Sequence, residues 1–257
     1  MTFDLVVATV GRVEALDRLL ASLAAQTHGD FRVLLVDQNG DDRLARVISA
    51  HGGLKIERLE SAPGLSRARN VALPKLSADV VAFPDDDCVY APDLLERVAA
   101  RLTPELDGLT GREPSWTTEA ALLTRDNLWK RAISFTIFLR RSVVERVGMF
   151  DESLGLPAAS GEELDYLVRA LDDGARIEYD PSFVVEHDQK PDADAHGARE
   201  GASLGYILRK HHYPKRTVLR LLIRSAGGTV VALAHRDGRR ARFQLDTLRG
   251  RLRGYLS

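Results

Sequence analysis

Three consecutive carboxylates, Asp85-Asp86-Asp87, follow the run Asp79-Val80-Val81-Ala82-Phe83 and precede the lone cysteine, Cys88. The apolar run reads as a buried strand bounded by turn residues. Adjacent carboxylates oppose each other's ionisation, so the cluster costs stability unless a cation compensates it. Mg²⁺ or Mn²⁺ does this, taking one or two carboxylates together with substrate phosphates. In open α/β sheets ligands bind beyond the carboxyl ends of strands, where this triplet falls. The plain alternative is a solvated acidic turn.

Other candidate groups stand at similar places. Residues 31–36 form a second apolar run that ends in Asp37, a pocket group or a helix cap. After the turn Pro63-Gly64, a helix opening near Ser66 carries Arg67 and Arg69. Arginine at a helix start opposes the macrodipole; a phosphate or the acid triplet resolves that conflict. Gly161-Glu162-Glu163-Leu164-Asp165 opens another helix with more acid than capping needs. A carboxylate there, facing a metal site, suits a general base. Val184-Val185-Glu186-His187 brings an imidazole to a strand end, as a metal ligand or a hydrogen-bond donor.

The elements that must position these groups alternate between strand and helix. Leu5 to Val10 is an apolar, β-branched run and therefore a buried strand. Residues 13–26 place Leu16, Leu19, Leu20, Leu23 and Ala24 at helical spacing. Further strands are predicted at 54–59 (nearer an edge), 107–113, 135–139, 176–179 and 183–185, the last two split by Asp180-Pro181. Helices are predicted at 41–50, 92–102, from Ser142 to near Gly148, and at 196–213. Residues 114–131 have no clean period and hold Trp116 and Trp129, as a substrate-contacting loop with local helix would. His211 and His212 are adjacent, so they face different sides of a helix and make a poor chelating pair.

The chain has 257 residues and a net charge of −1, unevenly spread. From Pro214 to Ser257 eleven Lys/Arg face two Asp/Glu, a net of +9, which leaves −10 on residues 1–213. Such asymmetry marks a surface for anionic lipid or nucleic acid, or a basic helical face packing on the acidic body. One cysteine excludes an intramolecular disulfide framework and a multi-cysteine zinc site. The N-terminus lacks the features of a signal peptide. No unbroken run of about 18 apolar residues appears, so no membrane span is expected. A cytoplasmic setting is the expectation, with nucleic acid not a partner. There is no GxGxxG and no lysine-bearing phosphate loop after the first strand.

Together these pieces resemble the inverting family 2 glycosyltransferases of GT-A fold. The resemblance rests on Val7-Ala8-Thr9, Val36-Asp37-Gln38-Asn39, Gly64-Leu65-Ser66-Arg67-Ala68-Arg69-Asn70, Phe83-Pro84-Asp85-Asp86-Asp87, Gly148-Met149-Phe150-Asp151-Glu152 and Gly161-Glu162-Glu163. It covers about residues 3–190 and is specific in order and spacing. It implies an α/β, Rossmann-like three-layer sandwich with a mostly parallel central sheet and a helical C-terminal extension. The domains expected are a catalytic, nucleotide-sugar-binding domain over 1–213 and a basic, mostly helical extension over 214–257.

The resemblance also implies roles. Thr9 and Asp37 line a nucleobase pocket, and Arg67 approaches the donor nucleotide, with Arg69 competing for that place. Asp85 and Asp86 meet the ribose or the metal shell, Asp87 binds Mn²⁺ or Mg²⁺, and His187 completes the diphosphate or metal site. The family's base motif falls on Glu162-Glu163, with glutamate where the family has aspartate, so Glu162 and Asp165 compete with Glu163. The implied substrates are a nucleoside-diphosphate sugar and a glycan or lipid-linked acceptor, with peripheral membrane contact through the basic extension. The competing readings are a sugar nucleotidyltransferase, which needs a lysine-bearing loop where Thr9-Val10-Gly11-Arg12 stands, and a non-catalytic nucleotide-sugar-binding module.

Overall fold

Leu5-Val6-Val7-Ala8 forms the middle of strand β1 (Phe3–Thr9), the first of the central sheet. The structure is a computed structural model and describes residues 1–114, 116–155, 160–187 and 196–257. The remaining strands are β2 (Phe31–Asp37), β3 (Ile56–Glu60), β4 (Val80–Ala82), β5 (Cys88–Val89), β6 (Gly108–Arg112), β7 (Ala121–Leu122), β8 (Ile137–Arg140), β9 (Ile177–Val184) and β10 (Glu186–His187). Eight make one sheet in the order β3-β2-β1-β4-β8-β6-β9-β7, and β10 pairs with β5 apart from it. β3-β2, β2-β1, β1-β4 and β6-β9 run parallel; β4-β8, β8-β6 and β9-β7 run antiparallel. This is the expected mostly parallel α/β sheet, with β3 on the expected edge.

Helix α1 (Val13–Ala24) presents Leu16, Leu19, Leu20 and Leu23, all fully buried, to a core shared with Phe3, Leu5, Val7, Val33 and Leu35. Each such side chain contributes about 1.5–3 kcal/mol when buried. Val6, Leu34 and Val36 are buried as well, so β1 and β2 are covered on both faces, as parallel strands are. The further helices are α2 (Ala45–Ala50), α3 (Leu65–Ala72), α4 (Leu94–Arg101), α5 (Arg141–Val147), α6 (Glu162–Asp172), α7 (Gly197–Lys210), α8 (Lys215–Ala234) and α9 (Gly238–Leu256).

Contacts divide the chain into two compact units, Met1–Glu152 with Tyr166–Asp188, and Ser153–Asp165 with Gln189–Ser257. The expected boundary at 213/214 is not where they part, because α7 belongs with α8 and α9. Its cause is a seam of small residues. A Cβ on Gly201 would meet the Thr247 carbonyl oxygen at 2.3 Å, and one on Gly254 the Ala202 carbonyl oxygen at 1.9 Å. Gly205 and Gly250 approach Arg251 and Ala198 in the same way. The four-residue spacing of these glycines puts them in facing rows.

One strand expectation is corrected. β9 runs unbroken through Asp180-Pro181. The proline is tolerated because the β6-β9 register shifts between Thr110 and Arg112, the kind of irregularity where sheets accept it. Residues 114–131 hold the expected local helix, a 3-10 turn over Leu128–Lys130, and also supply β7. In α8 an 18-residue window reaches a mean hydropathy of 1.4, enough by length and composition to cross a membrane, although Arg220 and Arg224 interrupt the helix.

The seam yields a prediction. Gly201→Val drives two methyl groups toward backbone that cannot retreat without parting α7 from α9. The expected loss is about 2–3 kcal/mol, read as a lower urea midpoint in far-UV circular dichroism.

Candidate active site

Thr9, Asp37 and Asp85 lie at the carboxyl ends of three neighbouring parallel strands. Thr9 is the register partner of Asp37, and an isolated parallel bridge joins Ala8 to Asp85 just beyond β4. The strand order turns here: β2 lies on one side of β1 and β4 on the other. This is the switch point at which open α/β sheets bind ligands.

The acid triplet is held inward. Asp86 and Asp87 are buried, and Asp85 is partly so. The Thr9 hydroxyl donates to Asp86 Oδ2 at 2.7 Å. Arg12 Nη1 donates to Asp86 Oδ1 at 2.8 Å and to Asp87 Oδ2 at 2.6 Å. Ser134 Oγ lies 3.1 Å from both carboxylate oxygens of Asp85. Arg69 Nη2 reaches Asp85 Oδ1 at 3.4 Å. Burial pushes the Asp86 carboxyl above its usual range, although the Thr9 hydroxyl and Arg12 pull the other way. Burial weakens the Arg12 charge, but Asp86 and Asp87 outweigh it and hold its pKa above the ordinary value.

His187 reaches the cluster because β10 pairs with β5, which sets His187 opposite Cys88. Its ring stacks on Phe135, with centroids 4.8 Å apart and planes 7° from parallel. His187 Nε2 lies 3.1 Å from Asp87 Oδ1. One ligand atom each from Asp85, Asp87 and His187 falls within 4.8 Å of the others. Two carboxylates and an imidazole suit a divalent ion such as Mn²⁺, so these residues fit the expected metal. Cys88 is fully buried, and burial, followed by the Asp85 charge, pushes its thiol far up. It packs, as expected.

The two candidate arginines separate. Arg69 is buried, with its guanidinium 5.7 Å from the Phe83 ring centroid and 5.4 Å from that of Phe150. Arg67 points elsewhere, pairing with Glu152 at 3.1 Å on the surface. Next to Arg69 in the chain, Asn70 clasps the backbone of Phe150: its Oδ1 accepts from the Phe150 amide at 2.7 Å and its Nδ2 donates to the Phe150 carbonyl at 3.0 Å. This joins the segment 64–70 to 148–152. The Glu152 carboxyl is lowered by Asn70 and then Arg67.

Asp37 has its own network. Its Oδ1 accepts from the Asn39 amide and side chain, each at 2.8 Å, and Arg58 Nε meets Oδ2 at 2.9 Å. Gln38 reaches across to the next loop, where its Oε1 accepts from the Gly64 amide at 2.7 Å. Gly64 has φ +137°, a conformation that glycine adopts freely.

In the second unit Glu162 and Asp165 are buried and Glu163 is half-buried in the first turn of α6. Asp165 Oδ1 is met by Lys210 Nζ at 2.7 Å and His211 Nε2 at 2.8 Å. His212, by contrast, is exposed, so the two histidines do diverge.

Sequence reasoning missed Arg12 and Ser134. The signal for Arg12 was Gly11, which takes φ +69° and donates its amide to Asn39 Oδ1 at 2.8 Å, turning the chain so that the arginine comes back to the acids. Ser134 carried no signal, because it comes from a 3-10 turn 49 residues downstream.

Known proteins share this frame. The sequence model described as Glycosyl transferase family 2 matches residues 4–148, more than half of the chain. The Pre-mycofactocin glycosyltransferase of Mycobacterium tuberculosis is 27% identical over 256 residues, covering 88% of this chain and 51% of that protein. This chain thus spans about half the length of that relative. Glycosyltransferase AglE of Haloferax volcanii is 26% identical over 208 residues, 73% of this chain and 67% of that protein. The mannosyltransferase PcManGT from Pyrobaculum calidifontis, solved in complex with GDP-Man and Mn²⁺, superposes with a TM-score of 0.71 at 15% identity, covering 98% of this chain and 86% of its own. S. aureus TarS 1-349 in complex with UDP-GlcNAc gives 0.63 at 17% identity, covering 97% and 92%. Likeness at these identities shows the fold, which is the expected GT-A architecture.

The two arginines give a paired prediction. Arg69→Ala strips a buried charge pair of one partner and is expected to cost about 3 kcal/mol. Arg67→Ala removes an exposed pair and is expected to change stability by less than about 0.5 kcal/mol. Urea unfolding of both variants checks the contrast.

Proposed function

This chain belongs to glycosyl transferase family 2, and we propose that it moves a sugar from a nucleoside-diphosphate donor to an acceptor hydroxyl with inversion at the anomeric carbon. The observation that carries this reading is the convergence of Asp85, Asp87 and His187 at the carboxyl end of the central parallel strands. A divalent ion held there would offset the charge that develops on the departing diphosphate.

The remaining roles belong to the protein's own residues. Thr9 and Asp37 line the nucleobase side of the donor site. Asp86, fixed by Thr9 and Arg12, meets the ribose, with Arg69 behind Asp85. Arg69 is a better candidate for the donor side than Arg67, because it lies at the acid cluster while Arg67 is engaged by Glu152. In the transfer, the acceptor oxygen attacks C1 from the face opposite the leaving group. The C1–O bond to the diphosphate breaks, and the acceptor proton passes to a carboxylate. Glu163 is the carboxylate proposed, with Glu162 its neighbour in the same turn. Asp165 is the weakest of the three, since its Oδ1 is already engaged by Lys210 at 2.7 Å and His211 at 2.8 Å.

The acceptor in this reading is a glycan or lipid-linked hydroxyl, as in cell-envelope polysaccharide or glycolipid synthesis. The protein works in the cytoplasm, with its basic C-terminal extension at the inner face of the membrane.

Titration calorimetry with nucleoside diphosphates and Mn²⁺ tests the donor site. Asp87→Ala is expected to weaken Mn²⁺-dependent binding at least about tenfold, in line with the loss of a metal ligand; unchanged affinity sinks the metal site. Glu163→Gln is expected to keep donor binding and to lower turnover by about 10²–10⁴-fold, the usual worth of a positioned base. Normal turnover in that variant moves the base elsewhere.

A further inference from the structure

Helix α8 buries one face, Thr217, Val218, Leu221, Ser225 and Ala232, and α9 packs against it. The seal is partly polar: Arg251 of α9 donates to the Leu221 carbonyl and to Ser225 Oγ at 2.8 Å. The opposite face is apolar and open. Leu219, Ile223, Val230 and Leu233 are each more than half exposed. With Ala226 they recur at alternating steps of four and three, which lines them along one side of the helix. Arg216, Arg220 and Arg224 recur every four residues and form a second row beside that stripe. No acidic residue occurs in α8.

We infer that this stripe and the arginine row together dock the chain on an anionic lipid surface, with α8 lying in the plane of the headgroups. This deepens the membrane contact in the reading above: the apolar face of α8, rather than basic charge alone, is the element that inserts. Helices with an apolar face flanked by basic residues bind membranes this way. Anionic lipids of the cytoplasmic leaflet attract each basic residue near the surface.

Two other occupants fit less well. A second copy of the chain would bring one arginine row toward another with no carboxylate on either α8 to compensate. A transmembrane path would drag α9 into hydrocarbon along with α8, and α9 carries Arg242, Gln244, Asp246, Arg249, Arg251 and Arg253. Polar groups of that number are excluded from the bilayer core.

The experiment is flotation of the full chain with phosphatidylcholine vesicles, with and without phosphatidylglycerol. The wild type is expected to float with the anionic vesicles, and less so at high salt. The triple variant Leu219→Ser, Ile223→Ser, Val230→Ser is expected to lose binding by about tenfold or more. Arg216→Ser with Arg224→Ser is expected to lose the dependence on phosphatidylglycerol. All substituted positions are exposed, and circular dichroism checks that the helices persist. A stripe variant that floats like the wild type overturns the inference, as does a wild type that stays in solution. A wild type that dimerises through the stripe in sedimentation, without floating, overturns it in favour of a second copy. Thermal shift with nucleoside diphosphate and Mn²⁺ is run on the same samples. Intact donor binding without flotation removes the docking surface alone, and flotation without donor binding removes the sugar-transfer reading alone.

Discussion

Carboxylates packed side by side at the end of a buried strand must be paid for by nearby positive charge and by hydrogen-bond donors. Much of the first unit is arranged around that requirement. Arg12 spans Asp86 and Asp87, Arg69 and Ser134 address Asp85, Thr9 holds Asp86, and His187 stands at Asp87. Each comes from a different element. The cluster is therefore a point at which β1, the loop after it, α3, the turn before β8 and the β5-β10 pair are tied together.

The ties explain why the sequence motifs sit where they do. The segment 64–70 supplies Arg69 to the acids and Asn70 to the backbone of Phe150. Phe150 and Phe83 in turn flank the Arg69 guanidinium. A buried arginine is tolerable only with such compensation, because an isolated charge in the interior is expensive. Three stretches far apart in the chain thus act as one packed object. The second unit follows a different rule. There, backbone-to-backbone contact between α7 and α9 sets the assembly, and the glycines at 201, 205, 250 and 254 permit it. With α9 taken up by α7 on one side and by α8 on the other, the outer face of α8 is left to solvent in this chain.

The placement of groups at strand ends was readable in advance for a simple reason. Apolar β-branched runs mark buried strands, and Thr9, Asp37 and Asp85–Asp87 follow such runs directly. Parallel strands then bring their ends to one edge without further information. The arginines were less legible, since Arg67 and Arg69 share a helix turn and differ only in which side faces the sheet. Arg12 was hidden because Gly11-Arg12 reads as an ordinary turn; only the positive φ of Gly11 shows that the side chain doubles back. Pro214 stands at the start of α8, as its N-cap, and the compact units part elsewhere because helix ends and unit ends are different things.

Local pattern by itself determined the strand-and-helix alternation, the buried positions of α1, the acid triplet at a strand terminus and the basic character of the final 44 residues. These follow from periodicity and charge, which act over a few residues. Tertiary structure alone decided that Arg12 and Ser134 join the acids, that Arg69 faces them while Arg67 does not, and that His187 arrives beside Asp87 through pairing with β5. It also decided which face of α8 is covered. The physical reason is that such contacts depend on backbone turns and strand pairing between distant segments, which no short window of residues encodes.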